Sequence, residues 1–172
     1  GHGYAEADSH VAMPEDGRAF AEIWAADILP YRQPLAAELA GVMPAHVVYS
    51  AVDPRPAGFS PFWIQDVLRV QVGFQGVVFS DDLTMEGATL AGDIVARADA
   101  ARAAGCDMVL VCNRPDLADD LLARWQIVPD DASTQRIAAL QAVSADTRPA
   151  LDADPVYLAA RQGLLAAGLL QG

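Results

Sequence analysis

Two adjacent carboxylates follow a short apolar run in the middle of the chain. Residues 76–79 read GVVF, and residues 80–82 read Ser-Asp-Asp. A carboxylate at the end of a strand can act as a nucleophile or an acid–base group, because α/β folds place their active sites there. Side chains alternate along a strand, so we expect only one of Asp81 and Asp82 to face a pocket. Alternatively, Ser80, Asp81 and Asp82 cap the next helix.

A second polar segment, GHGYAEADSH, occupies residues 1–10. Its Asp8 and His10 are two residues apart, a spacing that lets a carboxylate hold an imidazole in one tautomer and raise its basicity. His10 is then suited to general acid–base catalysis near neutral pH. A surface loop or an ordinary turn would also explain the pattern.

Two further interpretations stay open at this point: a metal site, and a substrate-binding role for two single residues. A metal site could combine His2, Asp8, His10 and His46, but their spacing matches none of the usual zinc patterns, and we expect no metal. His46 and Met85 are candidate substrate-binding residues, although side chains of both types most often pack in a core.

The elements that must position these residues can be read from apolar periodicity. Nearly continuous, β-branched apolar runs predict strands buried on both faces, as in parallel sheets, at 41–49, 76–79 and 107–112. Helical spacing and capping residues predict helices at about 19–39, 61–72, 94–104, 116–125, 134–143 and 155–170.

This alternation of strands and helices predicts α/β architecture with right-handed crossovers. Three strands cannot close a barrel, and an open three-stranded sheet would leave long exposed edges. The pattern therefore leaves two possibilities: a small doubly wound domain, or the last part of a larger (β/α)8 barrel.

The composition restricts the class of partner. The 172 residues carry a net charge of −12 and include no lysine, so nucleic acids and anionic membranes are not expected as partners. Cys106 precedes one predicted strand and Cys112 ends it, so the two would lie about 20 Å apart, too far for a disulfide. A reducing compartment, the cytoplasm, is therefore expected.

One continuous motif identifies a family. Residues 67–84, VLRVQVGFQGVVFSDDLT, resemble the signature of family 3 glycoside hydrolases: two aliphatic residues, a basic residue, a glycine, three apolar residues and Ser-Asp. The resemblance implies that Asp81, directly after the serine, is the catalytic nucleophile.

The N-terminal segment resembles a subgroup of the same family, the bacterial β-N-acetylhexosaminidases of peptidoglycan recycling. In that subgroup a histidine paired with an aspartate replaces the usual carboxylic acid, which implies that His10 is the general acid/base and Asp8 its partner. The segments MPAHVVYSAVDPRPAGFS and AGCDMVLVCN are also similar, so the resemblance extends from residue 1 to about residue 124.

The resemblance implies a fold and a function. The chain is expected to be the C-terminal half of the protein, contributing about strands six to eight of a (β/α)8 TIM barrel whose first half is absent. Residues 1–125 would belong to the barrel, and residues 126–172 would form a helical tail packed on the same domain.

The implied activity is that of a retaining exo-β-N-acetylglucosaminidase. It would remove terminal N-acetylglucosamine from peptidoglycan fragments through a covalent glycosyl-aspartate. Neither a cofactor nor a metal is expected, and the full-length protein is expected to be a monomer. The alternatives are an inactive truncated barrel or binding module, a β-glucosidase-type member of the family, and a metal-dependent hydrolase.

Overall fold

The computed structural model describes residues 3–8, 12–33, 39–141 and 148–170. The chain divides into two compact units, Gly1–Leu140 and Gln141–Gly172. The first unit contains the sheet and the strand-end aspartates, and the described part of the second contains two helices. The predicted domain boundary at residue 125, with a tail packed on the same domain, stays a prediction.

The described part of the first unit contains a three-stranded parallel sheet. Its strands are β1 (Gly41–Val42), β2 (Val77–Asp82) and β3 (Met108–Leu110), in the order β1–β2–β3. The aligned pairs are Gly41 with Val77, Val42 with Val78, Phe79 with Met108 and Asp82 with Leu110. Parallel pairing brings the carboxyl ends of all three strands to one edge of the sheet.

The first predicted strand, 41–49, is divided in the structure. β1 ends at Val42, two residues before Pro44, which has no N–H for a sheet hydrogen bond. Beyond this proline, Val48 forms a separate bridge with Glu15, in which the Val48 N–H donates to Pro14 O at 3.0 Å. Val48 also forms an antiparallel bridge with Pro56, so the apolar run serves three separate pairings.

Helices follow each strand, as the alternating pattern predicts. The α-helices are α1 (Phe20–Ala25), α2 (Ile94–Ala104), α3 (Pro115–Arg124), α4 (Asp131–Ala138), α5 (Arg148–Ala153) and α6 (Pro155–Ala166). Short 3-10 helices span Leu29–Arg32, Ala57–Phe59 and Glu86–Ala91. The helix predicted over 19–39 is interrupted after Ala25, and its continuation begins beside Pro30. None of the helices within the described ranges is long and apolar enough to cross a bilayer.

The helix predicted at 61–72 is a π-helix, Phe62–Gln71. Its last turn shows the wide spacing, because the Val72 N–H donates to Val67 O at 2.9 Å. The Ser60 hydroxyl accepts the Trp63 N–H at 3.2 Å and donates to the Asp53 carboxylate at 2.8 Å. Ser60 thus caps the helix and ties it to the preceding loop.

Two apolar clusters form the core of the first unit. The larger one packs β2 against α2 and includes Val78, Leu83 and Ala101. The second packs α1 against the π-helix and includes Ile23 and Trp63. Burying both faces of β2 explains its continuous apolar run.

A buried ion-pair cluster lies at the opposite end of the sheet from the strand-end aspartates. Asp107, which precedes β3, accepts hydrogen bonds from Arg69 at 2.8 Å, from Arg136 at 2.6 Å and from the Val78 N–H at 2.8 Å. Arg69 also donates to Gly76 O at 2.6 Å. The basic residue of the motif therefore anchors the start of β2 and does not contact the strand end.

In the second unit, α6 is capped by its preceding aspartate. The Asp154 carboxylate accepts the N–H groups of Val156 at 2.8 Å and Tyr157 at 2.9 Å. Pro155 occupies the first helical position, where its missing N–H costs no hydrogen bond.

Candidate active site

The Asp82 carboxylate is held by three donors at the end of β2. Its Oδ1 accepts the Thr84 N–H at 2.9 Å and the Cys112 N–H at 3.0 Å, and its Oδ2 accepts the Thr84 hydroxyl at 2.8 Å. These bonds close the turn after β2 and join it to the segment after β3. Asp82 is thus a structural carboxylate.

The Asp81 carboxylate is held differently. Asp81 is half-buried, and its Oδ1 accepts the N–H of Asp82 at 2.8 Å. Within the described chain this is the one hydrogen bond to its carboxylate, so both oxygens keep lone pairs for other partners. Of the two adjacent aspartates, Asp81 is therefore the one available for chemistry.

The serine of the motif also has a structural role. Ser80 is buried, and its Oγ accepts the Leu110 N–H at 2.9 Å. The strand register shifts between Phe79 and Asp82, and the hydroxyl satisfies a backbone donor at that irregularity. Because side chains alternate along the strand, burial of Ser80 turns Asp81 to the other face.

His46 lies fully buried behind this turn. Its exposed fraction is 0%, and its Nε2 lies 3.1 Å from the carbonyl oxygen of Asp82. A carbonyl only accepts, so Nε2 carries the proton. Burial lowers the pKa of His46, with a smaller lowering by Arg97, and outweighs the raising effects of Asp81 and Asp82. The ring is therefore neutral at pH 7.

Met85 forms the other side of the same turn. Its side chain is buried with an exposed fraction of 8%, and its N–H donates to Asp82 O at 3.2 Å. Both candidate substrate-binding residues, His46 and Met85, thus adjoin the Asp81–Asp82 segment. Contact of either with a sugar stays a prediction.

The predicted acid–base pair is only partly described. Asp8 is exposed, and its carbonyl oxygen accepts the Ala12 N–H at 2.9 Å. His10 lies outside the described residues, as does His2 of the alternative metal site. The roles of Asp8 and His10 therefore stay predictions. No group of three or more potential metal ligands occurs in the described ranges.

Sequence reasoning missed the two residues that hold Asp82. Thr84, two residues after an aspartate, carries a local signal, since such side chains form short-range turns. Cys112 carries none, because its contact joins residues 30 apart. Burial and, to a smaller extent, the nearby carboxylates of Asp82 and Asp81 raise the pKa of the Cys112 thiol.

A cavity of about 270 Å³ lies elsewhere, between α1, β1 and the π-helix. Ile23, Tyr49 and Trp63 contribute to its largely apolar lining, and Asp81 does not line it. This cavity is separate from the strand-end carboxylates.

The chain is similar to named bacterial enzymes. It is 63% identical over 174 residues to a beta-hexosaminidase of Aromatoleum aromaticum, covering 99% of this chain and 48% of that protein. It is 56% identical over 163 residues to a beta-hexosaminidase of Bordetella avium, covering 94% and 46%. The chain thus spans about half the length of these curated relatives.

Solved structures have the same local fold. NagZ from Neisseria gonorrhoeae in complex with N-trifluoroacetyl-D-glucosamine matches with a TM-score of 0.82 and 44% identity, covering 99% of this chain and 48% of that one. A glycoside hydrolase family 3 beta-N-acetylglucosaminidase from Paenibacillus sp. str. FPU-7 matches with a TM-score of 0.70 and 32% identity, covering 86% and 32%.

The family comparison corrects the placement expected from the sequence. We expected the C-terminal portion of a (β/α)8 barrel, about strands six to eight, with the first half absent. The matching family model instead describes the family's N-terminal domain, so that assignment to a C-terminal half is wrong. The physical reason is that every strand–helix unit of an α/β fold has the same pattern of an apolar strand with a polar end. This pattern cannot show which unit of the fold a given segment forms.

The match to the family is extensive. The model named Glycosyl hydrolase family 3 N terminal domain covers residues 1–143, which include all three strands and both strand-end aspartates. The chain therefore belongs to glycosyl hydrolase family 3, within the N-terminal domain of that family.

Proposed function

We propose that the protein is a retaining β-N-acetylglucosaminidase in which Asp81 is the nucleophile. The observation that carries this proposal is the difference between the two aspartates. Asp82 is held by three donors, whereas Asp81 stands half-buried at the strand end with lone pairs available. Membership of a glycoside hydrolase family supplies the reaction class.

In the first step, a carboxylate oxygen of Asp81 bonds to C1 of the sugar while the bond from C1 to the leaving oxygen breaks. A protonated His10 transfers its proton to that oxygen. The products of this step are the free aglycone, a neutral imidazole and a covalent glycosyl-aspartate.

In the second step, water attacks C1 and the bond to Asp81 breaks. The neutral His10 takes a proton from the water, which restores the imidazolium and the free carboxylate. Two displacements at C1 give net retention of configuration.

An imidazole has an electrostatic advantage as the acid in this site. A second carboxylate near Asp81 would repel its charge and shift the pKa of one member of the pair. A histidine avoids that repulsion in both of its protonation states. Asp8 would hold the imidazole in one tautomer.

The proposed substrates are peptidoglycan fragments with a terminal, β-linked N-acetylglucosamine. The names of the relatives support the sugar class, since they include beta-hexosaminidases and a beta-N-acetylglucosaminidase. We further propose a cytoplasmic, monomeric protein without nucleic-acid or membrane partners. Its net charge of −12 supports the last point, because phosphates would be repelled.

The test of the nucleophile is Asp81→Asn in the full-length protein, assayed with an aryl N-acetylglucosaminide. We expect kcat to fall by about 10⁴-fold or more, because the amide cannot form the intermediate. Asp119→Asn, an exposed change on α3, is the control and should retain activity. A slowly hydrolysed fluorinated N-acetylglucosaminide should lose its leaving group and add the mass of its glycosyl group to the peptide that contains Asp81. Near-normal activity of Asp81→Asn would refute the assignment.

The test of the acid is His10→Ala with two leaving groups. Hydrolysis of a poor leaving group should fall on the order of a hundredfold more than that of a nitrophenyl glycoside, because a good leaving group needs no proton. Equal losses with both substrates would exclude His10 as the acid. The ratio of N-acetylglucosaminide to glucoside hydrolysis separates the proposal from a β-glucosidase activity.

A further inference from the structure

We propose that His46 is a positioning residue, whose Nε2–H fixes the Asp82 carbonyl and thereby the backbone that carries Asp81. This inference rests on the proposed function, because positioning matters only if Asp81 reacts. It assigns His46 a role through the backbone in place of direct contact with the sugar.

The hydrogen bond requires a proton on Nε2, which the neutral ring carries only in its Nε2–H tautomer. Nε2 lies 3.1 Å from Asp82 O, and the same oxygen accepts the Met85 N–H at 3.2 Å. The carbonyl therefore has two donors, one from its own turn and one from a side chain 36 residues earlier. Of these two donors, only the His46 side chain joins the turn to another part of the chain, the segment that follows β1.

The imidazole is itself held firmly by its surroundings. It is fully buried, and its ring centroid lies 5.1 Å from that of Phe59. On another side, a Cβ on Gly87 would come within 2.8 Å of His46 Cβ, closer than real Cβ contacts allow. The absence of a side chain at Gly87 leaves the space that the histidine occupies. A ring packed in this way can transmit position to its hydrogen-bond partner.

Asp82 connects the imidazole to the nucleophile. Its N–H donates to Asp81 Oδ1 at 2.8 Å, while its carbonyl accepts from His46. Both polar groups of one backbone residue are thus engaged, one by each side chain. Losing the His46 donor would leave the carbonyl with the Met85 N–H alone and loosen the residue whose N–H orients the Asp81 carboxylate. Small misplacements of a reacting group are costly in rate.

A neutral His46 imidazole is also compatible with the charged side chains near it. The charged groups that act on His46 are Asp81, Asp82 and Arg97, and Arg97 is engaged at 2.8 Å with Leu83 O. A cation at position 46 would stabilise the negative charge of Asp81 and make it a weaker nucleophile. A neutral imidazole holds the backbone without this penalty.

The experiment compares His46→Gln with His46→Asn in the full-length protein. The glutamine amide reaches about as far as Nε2 and keeps a donor for Asp82 O, whereas the shorter asparagine amide stops near the Nδ1 position. With an aryl N-acetylglucosaminide, we expect His46→Gln to stay within about threefold of the parent kcat. We expect His46→Asn to lose on the order of tenfold to a hundredfold in kcat with KM changed less than about threefold.

Stability measurements separate positioning from folding. Melting temperatures of the two variants should agree within about 4 °C, because both replace an imidazole by a buried amide. If His46→Asn fails to fold, Gly87→Ala takes its place, since its methyl group would displace the ring without removing the donor. Gly87→Ala should lower kcat, while Gly163→Ala, where an added Cβ meets nothing within 4 Å, should not.

Equal kcat losses in His46→Gln and His46→Asn, or no loss in either, would overturn the positioning role. So would a loss confined to KM, which would indicate direct contact with the sugar. These results are distinct from failure of the proposed function, which would appear as an active Asp81→Asn.

Discussion

The two aspartates at the end of β2 differ in how many donors hold their carboxylates. Asp82 accepts from Thr84 twice and from Cys112 once, whereas Asp81 accepts only from the N–H of Asp82 within the described residues. Adjacent residues of one type therefore have different tasks. Hydrogen bonding, and not residue type, distinguishes the structural carboxylate of Asp82 from that of Asp81, the proposed nucleophile.

Replacing Asp82 by asparagine tests this distinction. An amide carries no charge, so the three hydrogen bonds to this side chain would lose their charge-assisted strength. We expect the free energy of unfolding to fall by about 1–3 kcal/mol, measured by urea denaturation. Asp81→Asn should change stability much less, since its carboxylate has one hydrogen bond. Equal stability of the two variants would contradict the assignment.

At the scale of elements, β2 is held at both ends by carboxylates. Asp82 closes its carboxyl end, and Asp107 binds the Val78 N–H together with Arg69 of the π-helix and Arg136 of α4. Burial alone would raise the pKa of Asp107, but bonds from Arg136 and Val78 outweigh this effect and lower it. The sheet and two helices thus meet at one ionised group.

Removing the charge of Asp107 should uncouple these elements. Its side chain is 1% exposed and those of Arg69 and Arg136 are 12% and 26% exposed. Asp107→Asn therefore leaves Arg69 without a carboxylate and Arg136 with only that of Asp130, at 3.9 Å. We expect a loss of about 3–5 kcal/mol in the free energy of unfolding. Asp116→Asn is the matched control, because the Arg114–Asp116 pair is exposed and should contribute little. Similar denaturation midpoints for the two variants would show that the buried cluster is dispensable.

The carboxylate of Asp53 should make the free energy of unfolding depend on pH in the acidic range. Hydrogen bonds from the Arg55 side chain, opposed by burial and assisted by the Arg55 N–H and Ser60, lower the pKa of Asp53 to about 2. A lowered pKa contributes stability that is present above the unfolded value and is lost as the pH falls through the folded value. Between about pH 4 and pH 2 we expect Asp53 to account for about 1–2 kcal/mol of lost stability.

The variant Asp53→Asn checks this pH dependence. Thermal unfolding of the parent and the variant should differ at pH 7 and converge towards pH 2. A difference that stays constant from pH 7 to pH 2 would show that the carboxylate is not ionised through this contact.

At the scale of the whole molecule, acidic residues far outnumber basic ones. The net charge is −12, and the isoelectric point is about 4.3. Self-repulsion at neutral pH favours solubility, and this repulsion disappears at the isoelectric point.

We therefore expect a sharp solubility minimum near pH 4.3, detectable as turbidity during a titration from pH 7. Salt at pH 7 should have little effect on solubility. Full solubility across pH 4 to 5 would show that charge does not govern association of this chain.

The sequence by itself determined the features that depend on neighbouring residues. The motif at residues 67–84 located a strand, because strand burial is local, although β2 extends through Asp82, beyond the predicted end at Phe79. The helix at 94–104 was predicted with the correct bounds, since Asp93 and Gly105 cap it from adjacent positions. The length of β1 was overestimated because Pro44 divides an apolar run that looks continuous.

Only the tertiary structure decided which distant groups meet, both at the candidate site and at the opposite end of the sheet. His46 and Asp82 are 36 residues apart, Cys112 and Asp82 are 30 apart, and Asp107 and Arg136 are 29 apart. Such pairs are set by strand register and by packing of helices on the sheet, which no local pattern encodes. Strand–helix units that share one sequence pattern also could not reveal the place of this chain within its family. The expected C-terminal placement was therefore wrong.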